Sequence, residues 1–421
     1  MAGPTVQRIK GMRDLLPPET AVWAAVEDTA RRVFTAYGFG EIRTPVVEET
    51  ELFVRSVGES TDIVGKEMYS FPDKKGKSLT LRPENTAPVA RAYIEHNLRD
   101  WPAPQKLFYM GPQFRYERPQ RGRYRQFYQI GAELLGDPGP ASDCEIVTML
   151  VRFLGELGFP DLLVLLNTVG DEASRAAYRT ALREYFLPHR DRLGEDSLRR
   201  LDTNPLRILD SKSPAERELL EGAPRLRDFL STESREHFAE VVRLLACRGV
   251  PHRVEDRLVR GLDYYTRTVF EITAGGLGAQ DAVVGGGRYD RLISDLGGPE
   301  VPGIGFAIGE DRLVDVLPES FRRRALPPPP VFVATAGGVD LAAALALAEE
   351  LRSAGVPAVA ELSTRSLKAA LKRADRLGSR LAALLGDEEL QAGEVTVRDL
   401  SSGEQARLPR AAAVARLKEE A

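Results

Sequence analysis

Arg115, Arg118, Arg121, Arg123 and Arg125 fall within eleven residues, interleaved with Tyr116, Tyr124, Phe127 and Tyr128. Guanidinium forks suit phosphate and aromatic faces suit a base, so the stretch reads as a nucleotide grip. The lone Glu117 and the interleaved aromatics weigh against a merely solvated charge run. Three further clusters carry polar chemistry. Arg82, Pro83, Glu84 and Asn85 precede a helical pattern from Thr86 to His96. Arg260 to Tyr265 (RGLDYY) opens a strand pattern. Gly285, Gly286 and Gly287 stand between Val284 and Arg288, where missing side chains permit close approach to a ligand or another strand. Arg312 would project from the first turn of a helix starting near Glu310, a position that favours an anion.

Other chemistries find little material. His96, His189, His237 and His252 are scattered, and Cys144 and Cys247 have no metal-ligand spacing. A zinc site, a Ser-His-Asp triad and a disulfide framework are therefore not expected, and both cysteines read as small buried hydrophobes. The glycine run lacks the spacing of a Walker or Rossmann loop. Net charge is −4 and the pI about 5.9. That excludes a basic coat for duplex nucleic acid but permits a local basic site. No apolar run approaches a membrane span and no secretory h-region is visible, so the expected location is cytoplasmic.

The elements that must position these groups follow from periodicity. Leu107 to Tyr109 and Phe127 to Ile130 read as strands flanking a long tip broken by Pro119 and Gly122. Glu19 to Tyr37 reads as an amphipathic helix, and Glu41 to Val47 as a strand interrupted by Pro45, a dimer contact or a plain sheet edge. Phe53 to Gly65 reads as a polar loop after a short helix. Met68–Phe71 and Ser78–Arg82 read as strands, 143–158 as a helix and 162–166 as a buried strand. Residues 170–253 are charged and helix-rich, an insertion that shapes a substrate or partner surface or is purely structural. Strand character resumes at Leu258. Of the tandem Tyr264 and Tyr265, a half-exposed strand would bury one. LPPPP at 326–330 is a stiff linker. Beyond it, alternating strands and helices predict a small α/β domain closing with a hairpin. Lys368, Lys372, Arg373 and Arg376 share one of its helices and suit nucleic acid or simple solvation.

Pro45 after a long helix, FRYER…RYRQF and GIGFAIGEDRL resemble, in order, the three signature motifs of class II aminoacyl-tRNA synthetases. LVRGLDYYTRTVFE, VVGGGRYD and LRPENTA are similar to motifs of the histidyl-tRNA synthetases within that class. The chain departs from the usual pattern at Asn85, where Gly is commoner, and at Tyr128, where many relatives have His. The resemblance implies an α+β fold: an antiparallel-sheet catalytic core with a helical insertion, plus a C-terminal α/β anticodon-binding domain. It divides the chain into catalytic segments 1–169 and 254–325, insertion 170–253, linker 326–330 and anticodon domain 331–421. It implies ATP, L-histidine and histidine tRNA as substrates, Mg²⁺ with the nucleotide and a homodimer. A histidine-binding regulatory subunit without charging activity is the alternative.

It also implies roles. Arg115 and Arg260 act at the α-phosphate. Glu84, Tyr264 and Tyr265 meet the imidazole, and Thr86, Gln129 and Glu133 the ammonium, with Arg115 and Arg260 near the carboxylate. Glu117, Arg123, Phe127 and Arg312 join Arg115 around ATP. Arg118, Gln120 and Arg121 meet the tRNA acceptor end. No protein metal ligand is implied.

Overall fold

The computed structural model describes residues 6–420 except 59, 60, 62, 121, 210, 212, 257, 259–263, 276–281 and 364–365. Arg121 and Arg260 therefore lie outside the described residues. The chain forms two compact units, Met1–Ala325 and Leu326–Ala421.

The strands of the first unit are β1 (Gly40–Glu41), β2 (Val47–Glu49), β3 (Tyr69–Pro72), β4 (Ser78–Leu81), β5 (Gln105–Phe114), β6 (Gln126–Leu135), β7 (Leu163–Thr168), β8 (His252–Val254), β9 (Thr266–Thr273), β10 (Ala282–Arg288) and β11 (Gly303–Gly309). Eight of them build the main sheet in the order β1-β5-β6-β11-β10-β9-β7-β8. Its interior pairings are antiparallel, and only the edge pairs β1–β5 and β7–β8 are parallel. β2, β4 and β3 form a small second sheet.

The first helix, Glu19–Ala36, buries Val22, Trp23, Val26, Ala30, Val33 and Phe34. Those positions recur every three or four residues, one face of a helix. Phe34 touches Phe108 of β5, Phe153 of the helix Pro140–Glu156 and Phe306 of β11, with ring centroids 5.5–5.8 Å apart. One side chain thus joins helix layer to sheet centre. A buried ion cluster does similar work nearby. Asp143 pairs with Arg288 of β10 and with His237, 2.8 Å away on the helix Thr232–Cys247. Burial opposes the charge on Asp143, yet the Arg288 guanidinium and the His237 hydrogen bond hold its pKa below the ordinary value.

Several expectations change. Glu41–Val47 is no single strand: β1 and β2 belong to different sheets, and Thr44 and Pro45 between them are gripped by Arg82 Nη1, 2.9 Å from the Thr44 carbonyl. Much of the expected polar loop from Phe53 is helix, Thr50–Val57 followed by a π turn at Ile63–Glu67, because Phe53 and Val57 are fully buried. Leu258 is not in a strand, residues 259–263 of the expected strand lie outside the described residues, and β9 is described from Thr266. Cys144 is buried, but Cys247 is exposed.

Between β7 and β8 lie the helices Glu172–Phe186, Glu195–Thr203, Arg217–Gly222 and Thr232–Cys247. They enclose a small core that includes Tyr178, Leu182, Phe186, Leu201 and Ile208.

The second unit holds β12 (Val331–Thr335), β13 (Ala358–Ala360), β14 (Leu381–Leu385), β15 (Glu394–Asp399) and β16 (Gln405–Pro409), in the order β13-β12-β14-β15-β16. β12, β13 and β14 are parallel, and a hairpin completes the sheet. The chain continues past that hairpin into a further helix, Arg410–Glu420, which buries Ala413 and Leu417. On the helix Leu367–Arg376, Lys368, Lys372 and Arg376 are exposed, while Arg373 pairs with the buried Glu361 at 3.0 Å.

Where β10 crosses β11 there is no room for a side chain. A β-carbon on Gly286 would overlap the Gly305 carbonyl and lie 2.7 Å from Phe270 Cζ. Gly286→Ala should therefore destabilise the unit by about 1–3 kcal/mol. Gly155→Ala, in a helix with nothing within 4 Å of the added carbon, should be neutral or slightly stabilising. Denaturant midpoints measure both, and equal midpoints would contradict the packing account.

Candidate functional site

β5 and β6 run past the end of β11, and their connection lies across the mouth of the sheet. The ladder pairs Phe114 with Gln126, and the tip closes by reciprocal backbone bonds between Gln120 and Arg123 around Gly122 at φ +71°. Arg118, Gln120 and Arg123 are exposed there. Below the tip, Arg115 Nε donates to the Pro83 carbonyl at 2.9 Å, and its guanidinium lies 5.3 Å from the Phe127 ring centroid. Glu117 sits between two arginines, 4.0 Å from Arg115 and 3.7 Å from Arg123.

These groups line a cavity of about 780 Å³ with Tyr124, Gln129, Glu271, Gly285, Ala307 and Arg312 among its walls. A second cavity, about 240 Å³, lies deeper and shares Arg115, Gln129, Gly285 and Ala307 with the first. Its remaining walls include Glu84, Thr86, Glu133, Tyr264, Tyr265 and Tyr289. The five predicted nucleotide residues thus meet around the large cavity. The described members of the predicted amino-acid set meet around the small one.

Glu133 lies at the core of the small cavity, only 1% exposed. Thr86 Oγ1 donates to its Oε1 at 2.9 Å, Tyr109 OH at 3.3 Å, and Tyr289 OH donates to Oε2. Burial outweighs those bonds and raises its pKa to about 8. A side chain at Gly305 would overlap this carboxyl, so the glycine leaves Glu133 its space. Gly131 does the same for the Tyr109 ring.

Glu84 is tied differently. Its carboxylate accepts the Thr86 amide at 2.7 Å and the Ala87 amide at 3.0 Å, at the start of the helix Thr86–Glu95. Asn85, at the cap position, makes no side-chain cap bond and instead accepts from Thr44 Oγ1 at 2.7 Å. Burial still raises the Glu84 pKa.

Tyr264 and Tyr265 both face the cavity, with ring centroids 4.9 Å apart, and Tyr264 is 5.7 Å from Tyr289. The alternation expected of them does not apply, since β9 begins only at Thr266. Tyr128 points away from the cavities and packs edge-on against Trp23 at 5.4 Å.

Three residues went unread in the sequence. Tyr109 looked like an ordinary strand former, yet its hydroxyl reaches Glu133. Tyr289 lay within the GGGRYD motif without an assigned role. Arg175, on the first helix after β7, donates to the Tyr265 carbonyl at 2.9 Å. Only the motif around Tyr289 offered a signal. Among the described residues, no group of three His, Cys, Asp or Glu could hold a metal ion.

Comparison with known proteins agrees with this geometry. Residues 11–313 match the family model described as histidyl-tRNA synthetase, and residues 331–420 the anticodon binding domain. The chain is 50% identical over 417 residues to the histidine–tRNA ligase of Desulforudis audaxviator, covering 99% of each. It is 49% identical over 414 residues to that of Nitratidesulfovibrio vulgaris strain DP4, covering 98% of each. The solved apo histidyl-tRNA synthetase of S. aureus superposes with a TM-score of 0.81 at 35% identity, covering 98% of this chain and all of that one.

Glu133 supplies a pH test of the site. Its folded pKa of about 8 stands above the ordinary 4.5, so between those values the folded chain keeps a proton that the unfolded chain releases. Its contribution to stability therefore falls as pH rises from about 4.5 to about 8 and then levels off. Glu133→Gln cannot ionise, so its stability relative to the parent should climb steadily from pH 5 to pH 8. A difference that stays flat across that range, by denaturant unfolding without ligand, would rule out the buried, protonated carboxyl.

Proposed function

This chain belongs to the histidyl-tRNA synthetase family, and we propose that its joined cavities hold histidine and ATP side by side for adenylation. It is an ATP-dependent aminoacyl-tRNA synthetase of the histidine–tRNA ligase type. The observation that carries the substrate assignment is the wall the two cavities share, Arg115 with Gln129, between a small enclosed pocket and a larger arginine-lined one.

In the first step a histidine carboxylate oxygen attacks the α-phosphorus of ATP, and pyrophosphate leaves with the bonding electrons. In the second, a hydroxyl of the terminal tRNA ribose attacks the histidyl carbonyl and AMP leaves. Both are displacements that need alignment and neutralised oxygens more than a protein nucleophile. Arg115 meets the carboxylate and the α-phosphate at once. Arg123 and Arg312 take the outer phosphates and the ring edge, and Phe127 stacks on adenine. Arg260 approaches the α-phosphate from the amino-acid side by its match to the family motif.

Histidine orientation follows from depth. Glu84 is joined to Arg115 through the neighbouring Pro83 carbonyl, so it belongs with the ammonium and carboxylate end. Glu133 is farther in, among tyrosine hydroxyls, and belongs with the imidazole. This reverses the order expected from sequence, which set Glu84 at the ring. Gln129 Oε1 is buried without a partner among the described residues, an acceptor suited to the ammonium. A protonated Glu133 can donate to one imidazole nitrogen or, ionised, accept from it, so the ring need leave no nitrogen unsatisfied.

The nucleotide arrives as its Mg²⁺ complex, with the ion carried on its phosphates; no protein ligand to it is assigned among the described residues. Arg118, Gln120 and Arg121 at the tip meet the acceptor end of histidine tRNA. The functional form is a cytoplasmic homodimer using the first helix and the Pro45 segment. A regulatory subunit without charging activity is disfavoured, since Arg115, Arg123 and Arg312 are retained together with an anticodon domain.

Purified protein should exchange pyrophosphate into ATP only when histidine is present. Arg260→His should cut that exchange by orders of magnitude while ATP binding persists. Near-normal turnover in the variant would remove Arg260 from the mechanism, and histidine binding with no exchange in the parent would favour the regulatory reading.

A further inference from the structure

The segment before the first helix makes contacts that the catalytic assignment leaves unused. Arg13 Nη2 donates to Asp311 Oδ1 at 2.9 Å, and its Nη1 to Glu19 at 3.1 Å. The same guanidinium lies 4.6 Å from the Tyr124 ring centroid and 5.5 Å from that of Trp23. Asp311 is 3% exposed, and its other oxygen accepts the Tyr128 backbone amide at 2.8 Å. The last β6–β11 pair is Gln129 with Gly309, so this carboxylate extends the ladder beyond the strand end. Its chain neighbour is Arg312, and the chain neighbour of Tyr128 is Phe127. Both line the large cavity, as does Tyr124.

The segment is also docked upstream. The Gly11 carbonyl accepts the Arg125 amide at 2.7 Å, and the Lys10 carbonyl accepts Arg125 Nη1 at 3.3 Å. Gly11 has φ +89°, and a β-carbon there would lie 2.9 Å from Arg125 and Pro119. The N-terminal strap thus lies flush against the hairpin by its backbone, with Arg13 directed at Asp311.

We propose that Arg13 is a positioning residue for the nucleotide: through Asp311 it fixes the spacing between the Phe127 wall and the Arg312 wall of the large cavity. This rests on the reading of that cavity as the ATP site. Without Arg13, Asp311 would be a buried carboxylate held by backbone amides with no countercharge. Arg13 supplies the side-chain donor and the countercharge that keep it bridging the two walls. Losing Arg13 lets the walls move apart without touching the histidine cavity, whose lining shares neither Phe127 nor Arg312.

The test is histidine-dependent pyrophosphate exchange by the full chain, measured for Arg13→Met, Arg13→Lys and Asp311→Asn. Arg13→Met and Asp311→Asn should raise the KM for ATP roughly tenfold or more, as expected for loss of a buried charge-assisted hydrogen bond. The KM for histidine should stay within about twofold. Arg13→Lys keeps the charge opposite Asp311, so it should recover part of the ATP affinity lost in Arg13→Met, with denaturant midpoints of all three variants separating loss of fold from loss of positioning. Unchanged ATP constants, or ATP and histidine constants rising together, would overturn the proposal. A parent protein without exchange activity would instead overturn the assignment of the cavity.

Discussion

A carboxyl group withdrawn from water at the middle of the main sheet constrains the rest of the site. Removing Glu133 from solvent without partners costs of order several kcal/mol. The fold answers with donors from three separate places: Thr86 at a helix start, Tyr109 on the neighbouring strand and Tyr289 just beyond β10. It also answers with an absence, because Gly305 leaves the carboxyl a place to lie. Burial first, and the nearby carboxyls second, push the Tyr109 and Tyr289 hydroxyls well above their ordinary pKa, so both remain neutral donors. The pocket is thereby lined by groups already held by one another, without first having to be assembled.

The outer cavity obeys the opposite logic. Arg123 is largely exposed and Glu117 lies between two guanidiniums at distances too long for tight pairs. Such groups are left weakly committed until a polyanion collects them. Rigidity there comes from behind the walls, through Asp311, the Phe34 cluster and the Asp143–Arg288–His237 group. Arg123 can be loosely held because the frame behind it is not.

Much of this was legible in the sequence, and the reasons are local. The hairpin announced itself because its arginines, aromatics and turn residues lie in one stretch. The helix at Glu310 and the glycine run of β10 did so for similar reasons. The roles of Tyr109 and Arg175 were hidden because each acts on a group far away in the chain, Glu133 or the Tyr265 carbonyl. Glu84 and Glu133 could be collected from their motifs, but their order rested on the resemblance alone, since depth within a pocket leaves no trace in spacing. The short helix before the polar loop was expected, but its extension to Val57 was not, because its apolar residues, Phe53 and Val57, make a single i, i+4 pair, too little periodicity to separate helix from loop. The final helix was overlooked because it is largely alanine and charge, with only Ala413 and Leu417 turned inward.

The neighbour of β6 in the sheet has a consequence for how the molecule is made. Between the end of β6 and the start of β11 lie about 170 residues, including all the helices between β7 and β8. At about 5–20 residues per second, a ribosome needs roughly ten to thirty seconds to deliver that partner strand. Through that interval the β5–β6 hairpin has emerged with one long edge unpaired, and Glu133 has neither Gly305 nor Tyr289 beside it. A carboxylate is then an asset: it is charged in water, and a charge directed inward from an open strand discourages pairing with the wrong chain. A residue that is costly to bury in the finished protein is thus one that protects its edge during synthesis.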